Sequence, residues 1–377
     1  MTLEIDDDVL DDVSALDSRD PDQMLRAVAS GAAQIRSALT ATADAGLEQL
    51  EGLGRPRAVV VAGMGGSGIA GDVLASLAAP AAQAPVFVQR QPGLPGWVGA
   101  ADVVIAVSCS GGTQETLAAT DEAVRRGAAL VGIGAADSPL SRRCTQARAP
   151  YVPVVKQLAP RASMWALATP VLVAATRLGL LELSADAFEA AAVRLETIAE
   201  TCRPDREAFV NPGKQLALEL TGALPMVWGA GTTGGVAAYR FGCQLAENAK
   251  YPAVVGALPE AHHNQVVAFD GPLAGGASTD DLFRDRVDDE EPLRLRLVLL
   301  HDDDRDEEVA ARVSVSEQIA QERGVPVTTL RSEGEGPLER LASLVGLIDY
   351  ATVYLALLHD TDPTPVAPID ALKRRLA

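Results

Sequence analysis

The sequence predicts an α/β fold in two copies, each a parallel sheet flanked by helices, with helical sequence before the first copy and C-terminal helices after the second. Three observations carry that expectation. From residue 57 to about residue 155, short β-branched or apolar runs alternate with helix-like runs, the pattern of βαβ units. The first such run ends in a glycine cluster, Val59 to Asp72 reading VVVAGMGGSGIAGD. The pattern then restarts, and MVWGAGTTGG set beside VVVAGMGGSG shows a weak internal repeat on the scale of a domain. The divisions that follow are a helical segment over 1–54, a first α/β domain over 55–183 and a second over 184–377.

Taken in order, Pro21 to Leu50 has apolar residues at helical intervals and no strand-like alternation. Asp6, Asp7, Asp8, Asp11 and Asp12 read as a solvated start. Strands are expected from Val59, at Pro85 to Gln89, Asp102 to Val107, Ala128 to Gly134 and Tyr151 to Val155. A long helix is expected from Ala162 to Leu183, with helix-like sequence continuing to about Phe209. The second copy places strands at Pro225 to Gly229, Ala253 to Gly256, Leu295 to His301 and Val325 to Leu330. Its helices are expected from Val236 onward, at Glu307 to Arg323 and from Pro337 to about His359. Asp280 to Arg286 and Asp288 to Glu291 read as a polar, mobile insertion.

Composition narrows the function. The 377 residues are 48% hydrophobic, enough for two substantial cores, and only 4% aromatic, so those cores are expected to be aliphatic. No apolar run reads as long enough to cross a membrane and no leader is apparent, so a soluble cytoplasmic protein is expected. A net charge of −19 argues against nucleic acid, whose binding depends on Lys and Arg neutralising phosphates. The four cysteines, Cys109, Cys144, Cys202 and Cys243, have no metal-ligand spacing and read as free thiols in a reducing compartment.

The glycine cluster is built for an anion. Glycines let backbone N–H groups approach a phosphate, and the following helix N-terminus adds a favourable dipole. Gly63, Gly65 and Gly68 fit the dinucleotide fingerprint, but the second strand ends in Arg90 and Gln91, where a nicotinamide site needs an acid for the ribose hydroxyls. At the end of the third strand, Ser108, Ser110 and Thr113 crowd one strand-to-helix turn, SCSGGTQETL. An ordinary N-cap explains one hydroxyl, whereas a phosphate monoester explains three. In the second copy the equivalent strand runs into His301, Asp302, Asp303 and Asp304, acids that repel phosphate and read as a solvated loop or helix start. One phosphate site per chain is therefore expected, in the first domain.

Elsewhere, His262 and His263 are adjacent in PEAHHNQ, downstream of Glu247 in QLAENAK. No further ligand at metal spacing accompanies them. From the residues alone, Glu247 also reads as a helix-surface acid pairing with Lys250 or Arg240.

These stretches together resemble a known family. GMGGSGIAGD followed by SCSGGTQETL resembles the sugar isomerase (SIS) domain, and more narrowly the bifunctional phosphoglucose/phosphomannose isomerases, which carry GMGGSGIAG and an SYSGNTxETL-like loop. The resemblance continues through AYRFGCQLAENAKYPA, PEAHHNQ and DPTPVAPIDALKRRL, and so covers nearly the whole chain. It implies two SIS domains and aldose–ketose isomerisation of glucose 6-phosphate and/or mannose 6-phosphate to fructose 6-phosphate through a cis-enediol, with no cofactor and no metal. By the same resemblance Glu247 is the base, His263 opens the sugar ring with help from Lys373, and Arg161 stabilises the enediolate. Gly66, Ser67, Ser108, Ser110 and Thr113 bind the phosphate. The histidine comes from the neighbouring subunit in this family, which implies a homodimer.

The chain departs from the family pattern: Cys109 and Gly112 stand for its tyrosine and asparagine in the phosphate loop, His262 and Gln265 for its asparagine and glutamate around the histidine, where Gln265 can orient His263 but not support its charge, and Phe241 and Gly242 for its tryptophan–lysine pair in the second domain. Those departures leave two alternatives: a non-catalytic phosphosugar-binding protein, regulatory or accessory to a sugar pathway, and isomerase chemistry on another phosphosugar such as an amino sugar.

Overall fold

The central β-branched runs become strands buried on both sides, the runs at the sheet edges are only partly buried, and the glycine-rich junctions after the first strand of each sheet become strand-to-helix turns. The computed structural model describes residues 7–155, 159–274, 293–302 and 306–376; Asp6, Leu158, the insertion at Asp280 to Arg286 and Asp288 to Glu291, and Asp303 and Asp304 lie outside the described residues. Contacts divide the chain into two compact units, one of Ala27–Glu196 and Glu335–Ala342, the other of Met1–Arg26, Thr197–Gly334 and Ser343–Ala377.

The chain begins with α1 (Val13–Arg19), α2 (Met24–Ala29) and α3 (Gly31–Ala43). Its early acids are more than a solvated start. Asp12 caps α1 by accepting from the N–H groups of Ser14 and Ala15. Asp11 accepts from the Ala208 N–H at 2.7 Å and lies 3.5 Å from the Nζ of Lys214, whose side chain is fully buried.

The first sheet is built from β1 (Val59–Ala62), α4 (Gly66–Ala78), β2 (Val86–Gln89), β3 (Val103–Ser108), α5 (Gln114–Arg126), β4 (Ala129–Gly134), α6 (Pro139–Ala147) and β5 (Tyr151–Pro153). Its five strands run in the order β2-β1-β3-β4-β5, and every pairing is parallel. Val60, Val104, Leu117, Leu130 and Cys144 meet in one buried cluster beside it.

Two helices follow, α7 (Met164–Arg177) and α8 (Ala185–Thr201). The helical stretch expected over Ala162 to Leu183 opens with a 3₁₀ turn at Pro160–Ser163 and stops at Arg177, just before Gly179 at φ +68°. Helix does not run on to Phe209 either. Asn211 starts a new one, α9 (Pro212–Leu220), by accepting from the N–H groups of Gly213 and Lys214, with Pro212 at the first helical position where its missing N–H costs nothing.

The second sheet repeats the first. Its elements are β6 (Ala223–Ala230), α10 (Gly234–Gln244), β7 (Val254–Ala257), β8 (Arg294–His301), α11 (Glu307–Glu322) and β9 (Val327–Arg331), and the strand order is β7-β6-β8-β9, again all parallel. The internal repeat seen in the sequence is thus a repeat of topology, β6 standing for β1 and β8 for β3. The chain closes with α12 (Pro337–Leu358) and α13 (Ala367–Leu376).

One compositional expectation is corrected here. The helix Pro337–Leu358 is long and apolar enough to cross a membrane, but 94% of its most apolar window is buried in protein, which marks a core helix. It also carries a buried charge. Asp349 accepts from Nε of Arg240 at 2.9 Å and Nη2 at 2.5 Å, and Gln244 Nε2 adds a third bond at 3.2 Å. Burial pushes the Asp349 carboxyl above the ordinary range while Arg240 pulls it back. Asp349→Ala strands Arg240 in the interior and is expected to cost roughly 3–5 kcal/mol, read as a lower urea midpoint at unchanged slope. A loss below about 1 kcal/mol would show that the pair is effectively solvated.

Candidate functional site

In the first unit the phosphate residues proposed from the sequence form one hydrogen-bonded cluster. β1 and β3 are adjacent parallel strands, so the loops at their carboxyl ends lie side by side. The Cys109 N–H donates to Ser67 Oγ at 3.2 Å, which ties the loop after β3 to the start of α4. Ser108 Oγ lies 2.9 Å from Thr113 Oγ1 and 3.5 Å from Ser110 Oγ. Ser67, Ser108 and Cys109 are buried, whereas Ser110 is exposed. Gly112 N–H donates to Ser110 Oγ at 3.2 Å, so that hydroxyl can turn its own hydrogen outward.

One glycine makes the geometry possible, and a second lies at ordinary contact distance from its neighbour. Gly111 sits at φ +64°, and a Cβ there would overlap Ser138 Oγ. Gly66 runs against the 3₁₀ turn that carries Arg161: a Cβ on it would lie 3.5 Å from Arg161 Cα. Arg161 is itself 4% exposed. The structure therefore brings Gly66, Ser67, Ser108, Ser110, Thr113 and the backbone of Arg161 together at one end of the first sheet. At the end of β2, where a dinucleotide site needs an acid, Arg90 instead pairs with Asp72 of α4.

Glu247, His263 and Lys373 lie on three separate elements of the other unit. Glu247 occupies a π-turn, Leu245–Ala249, at the end of α10, and its neighbours Leu245, Asn248 and Ala249 are buried. A π-turn adds a residue to the helical repeat and redirects side chains, which is why such turns recur at functional sites. Asn248 Nδ2 anchors this one to Thr352 Oγ1 of α12 at 3.0 Å. Lys250 closes it, at φ +56°, with Nζ donating to the carbonyls of Glu247 (2.9 Å) and Asn248 (3.2 Å). Arg240, the other partner considered for Glu247, engages Asp349. His263 ends the 3₁₀ turn Glu260–His263 and is exposed. Lys373 is exposed in the last turn of α13, beside Arg374 and Arg375.

The second sheet treats the equivalent of the phosphate loop differently from what its acids suggest. Asp302 is not solvated. It is 2% exposed, and its Oδ2 accepts from the Thr233 N–H at 3.0 Å, at the start of α10. Gly231, at φ +83°, makes room for it. A carboxylate of the chain thus occupies the helix start where the first sheet presents N–H groups and hydroxyls, and it satisfies a donor that the helix itself cannot.

Sequence reasoning also missed Trp228. This fully buried residue of β6 donates its indole N–H to Gln265 Oε1 at 2.6 Å and meets the His262 ring edge-on with centroids 6.0 Å apart. Gln265, considered as an orienting partner for His263, is bonded through its amide to Trp228 and to the Val255 carbonyl at 3.1 Å. Burial and the nearby charge of Arg312 hold the His262 pKa below the ordinary histidine value. Gly242 has its own reason: a Cβ there would strike Val255 across α10 and β7. Among the described residues no group of three or more His, Cys, Asp or Glu is placed to hold a metal.

Comparison with known proteins agrees with the two parallel α/β sheets. Residues 53–169 match the SIS domain, and residues 209–376 match the bacterial phospho-glucose isomerase C-terminal SIS domain. The bifunctional phosphoglucose/phosphomannose isomerase of Caldicellulosiruptor bescii is 32% identical over 321 residues, covering 85% of this chain and 89% of that protein. The enzyme of the same name from Aquifex aeolicus is 31% identical over 323 residues, covering 85% and 90%. A hypothetical protein from Thermus thermophilus, known as a crystal structure, superposes with a TM-score of 0.71 over 98% of this chain and 95% of that one, a likeness of fold at 16% identity. With two SIS-type domains and this identity over most of its length, the chain belongs to the bifunctional phosphoglucose/phosphomannose isomerase family.

Proposed function

We propose that the protein interconverts glucose 6-phosphate and/or mannose 6-phosphate with fructose 6-phosphate through a cis-enediol intermediate. The observation that carries this reading is the hydroxyl cluster at the ends of β1 and β3, four hydroxyls beside two helix starts, a donor set that suits a phosphate monoester. A net charge of −19 would repel a dianionic substrate at long range, so its capture rests on these donors at close range. Ser110 and Thr113 donate from the rim of the turn, and Ser67 and Ser108 from its buried side. Phosphate held far from the reacting carbons lets remote binding energy orient the sugar.

The chemistry then follows from the roles the family resemblance gives to the remaining residues. His263, helped by Lys373, moves a proton from the anomeric hydroxyl to the ring oxygen and opens the ring. Glu247 removes the proton from the carbon beside the carbonyl. The C–H electron pair becomes the enediol double bond, and the carbonyl pair moves onto oxygen. Arg161 stabilises that oxyanion; the hydroxyl proton on the deprotonated carbon then passes to it, and Glu247 returns its own proton to the neighbouring carbon as the new carbonyl forms. Return to one face or the other of C2 sets the aldose epimer. The reading carries with it a homodimer in the cytoplasm.

Two outcomes test it. Offered fructose 6-phosphate, with glucose 6-phosphate and mannose 6-phosphate detected separately, the wild type is expected to turn over. Glu247→Gln is expected to lose roughly 10²–10⁴-fold in kcat with little change in KM. Absence of turnover in the wild type, with phosphosugars still raising its Tm, would replace the isomerase by a binding protein. Ser110→Ala and Thr113→Val each delete one hydrogen bond to a charged group and are expected to raise KM about tenfold or more, with kcat nearly kept. An unchanged KM in both would move the phosphate elsewhere.

A further inference from the structure

The turn that carries His263 is fastened on both sides to one buried residue. Before it, His262 lies edge-on against Trp228 and its Nε2 is 2.7 Å from Ser316 Oγ of α11. Ser316 has a single hydroxyl hydrogen, and it goes to the Arg312 carbonyl at 2.8 Å. The His262 nitrogen must therefore supply the hydrogen of the shared bond, which fixes the Nε2–H form of its ring. After His263, Gln265 uses both ends of its amide. Oε1 accepts from Trp228 Nε1 at 2.6 Å, and Nε2 donates to the Val255 carbonyl of β7 at 3.1 Å. Gly256 opens the path for that side chain, since a Cβ there would stand 2.6 Å from Oε1. Phe269 stacks on Trp228 at 5.4 Å and Ala261 is buried, so the platform is packed from below.

We propose that Trp228, His262 and Gln265 are positioning residues that clamp the Glu260–His263 turn and so aim His263 at the sugar. The proposal rests on the reading of His263 as the ring-opening residue. It also explains the two departures from the family pattern around His263 as one device. A glutamate at position 265 accepts but cannot donate. It would set a carboxylate against the Val255 carbonyl and break the clamp. Gln265 is thus the residue this platform requires, and not a weakened glutamate.

The test is anomer exchange of glucose 6-phosphate, measured by exchange NMR in the Glu247→Gln background, where ring opening is read without isomerisation. Gln265→Glu, which restores the residue of the family pattern, is expected to slow enzyme-catalysed exchange roughly ten- to a hundredfold, and in the otherwise wild-type enzyme to lower kcat with KM within about twofold. Trp228→Phe keeps an aromatic ring and removes the N–H, and is expected to do the same if Gln265→Glu does not fold. His263→Ala sets the floor. Exchange in Gln265→Glu or Trp228→Phe as fast as in the parent, with His263→Ala slow, overturns the clamp alone. No enzyme-catalysed exchange in the parent, or none lost in His263→Ala, overturns the reading of His263 and the clamp with it.

Discussion

A single bond, from the Cys109 N–H to Ser67 Oγ, joins the loops that follow two neighbouring strands of the first sheet. It forms only because the strand order reverses between β1 and β3, sending α4 and α5 away from a shared crevice. Once the loops are tied, the rest of the cluster is placed by short range: Ser108 against Thr113, Gly112 against Ser110, and Gly66 against the Arg161 turn. Each hydroxyl is held by its oxygen or by a neighbour, so a bound anion finds donors already gathered and their ordering entropy largely lost in folding.

The second sheet builds the equivalent junction differently. Its loop also begins a helix, and its strand β8 also ends beside it, but Asp302 reaches across and takes the Thr233 N–H. The polarity of the cross-link is reversed. In the first sheet a helix-start hydroxyl accepts from the strand end; in the second, a strand-end carboxylate accepts from the helix start. A built-in anion satisfies the helix N-terminus, and the same unit carries Glu247 on its π-turn and His263 at the end of a 3₁₀ turn.

Much of this was legible in the sequence. The strand runs and their restart gave two parallel sheets, because buried parallel strands must be apolar throughout and glycine must follow them where a ligand or a helix comes close. The hydroxyl cluster was legible because three hydroxyls exceed what capping needs. What stayed hidden depended on partners distant in sequence. Nothing local marks Asp302 as buried rather than solvated, since its partner Thr233 lies in another loop. The helical run after Ala162 looked continuous because Ala-rich sequence favours helix whether or not the tertiary fold breaks it, as it does before Gly179. α12 shows the limit of composition: its apolar run fits a membrane and a protein core equally, and only its packing decides. Trp228 was one apolar residue in a strand until the structure placed His262 and Gln265 on it.

The central claim is that the first sheet, and not its repeat, holds the substrate phosphate. The most direct measurement is a crystal structure of the Glu247→Gln variant with fructose 6-phosphate bound. The account predicts phosphorus within hydrogen-bonding reach of the hydroxyls of Ser67, Ser108, Ser110 and Thr113. Phosphorus at the Thr232–Gly235 loop of the second sheet, with Asp302 displaced, would contradict it.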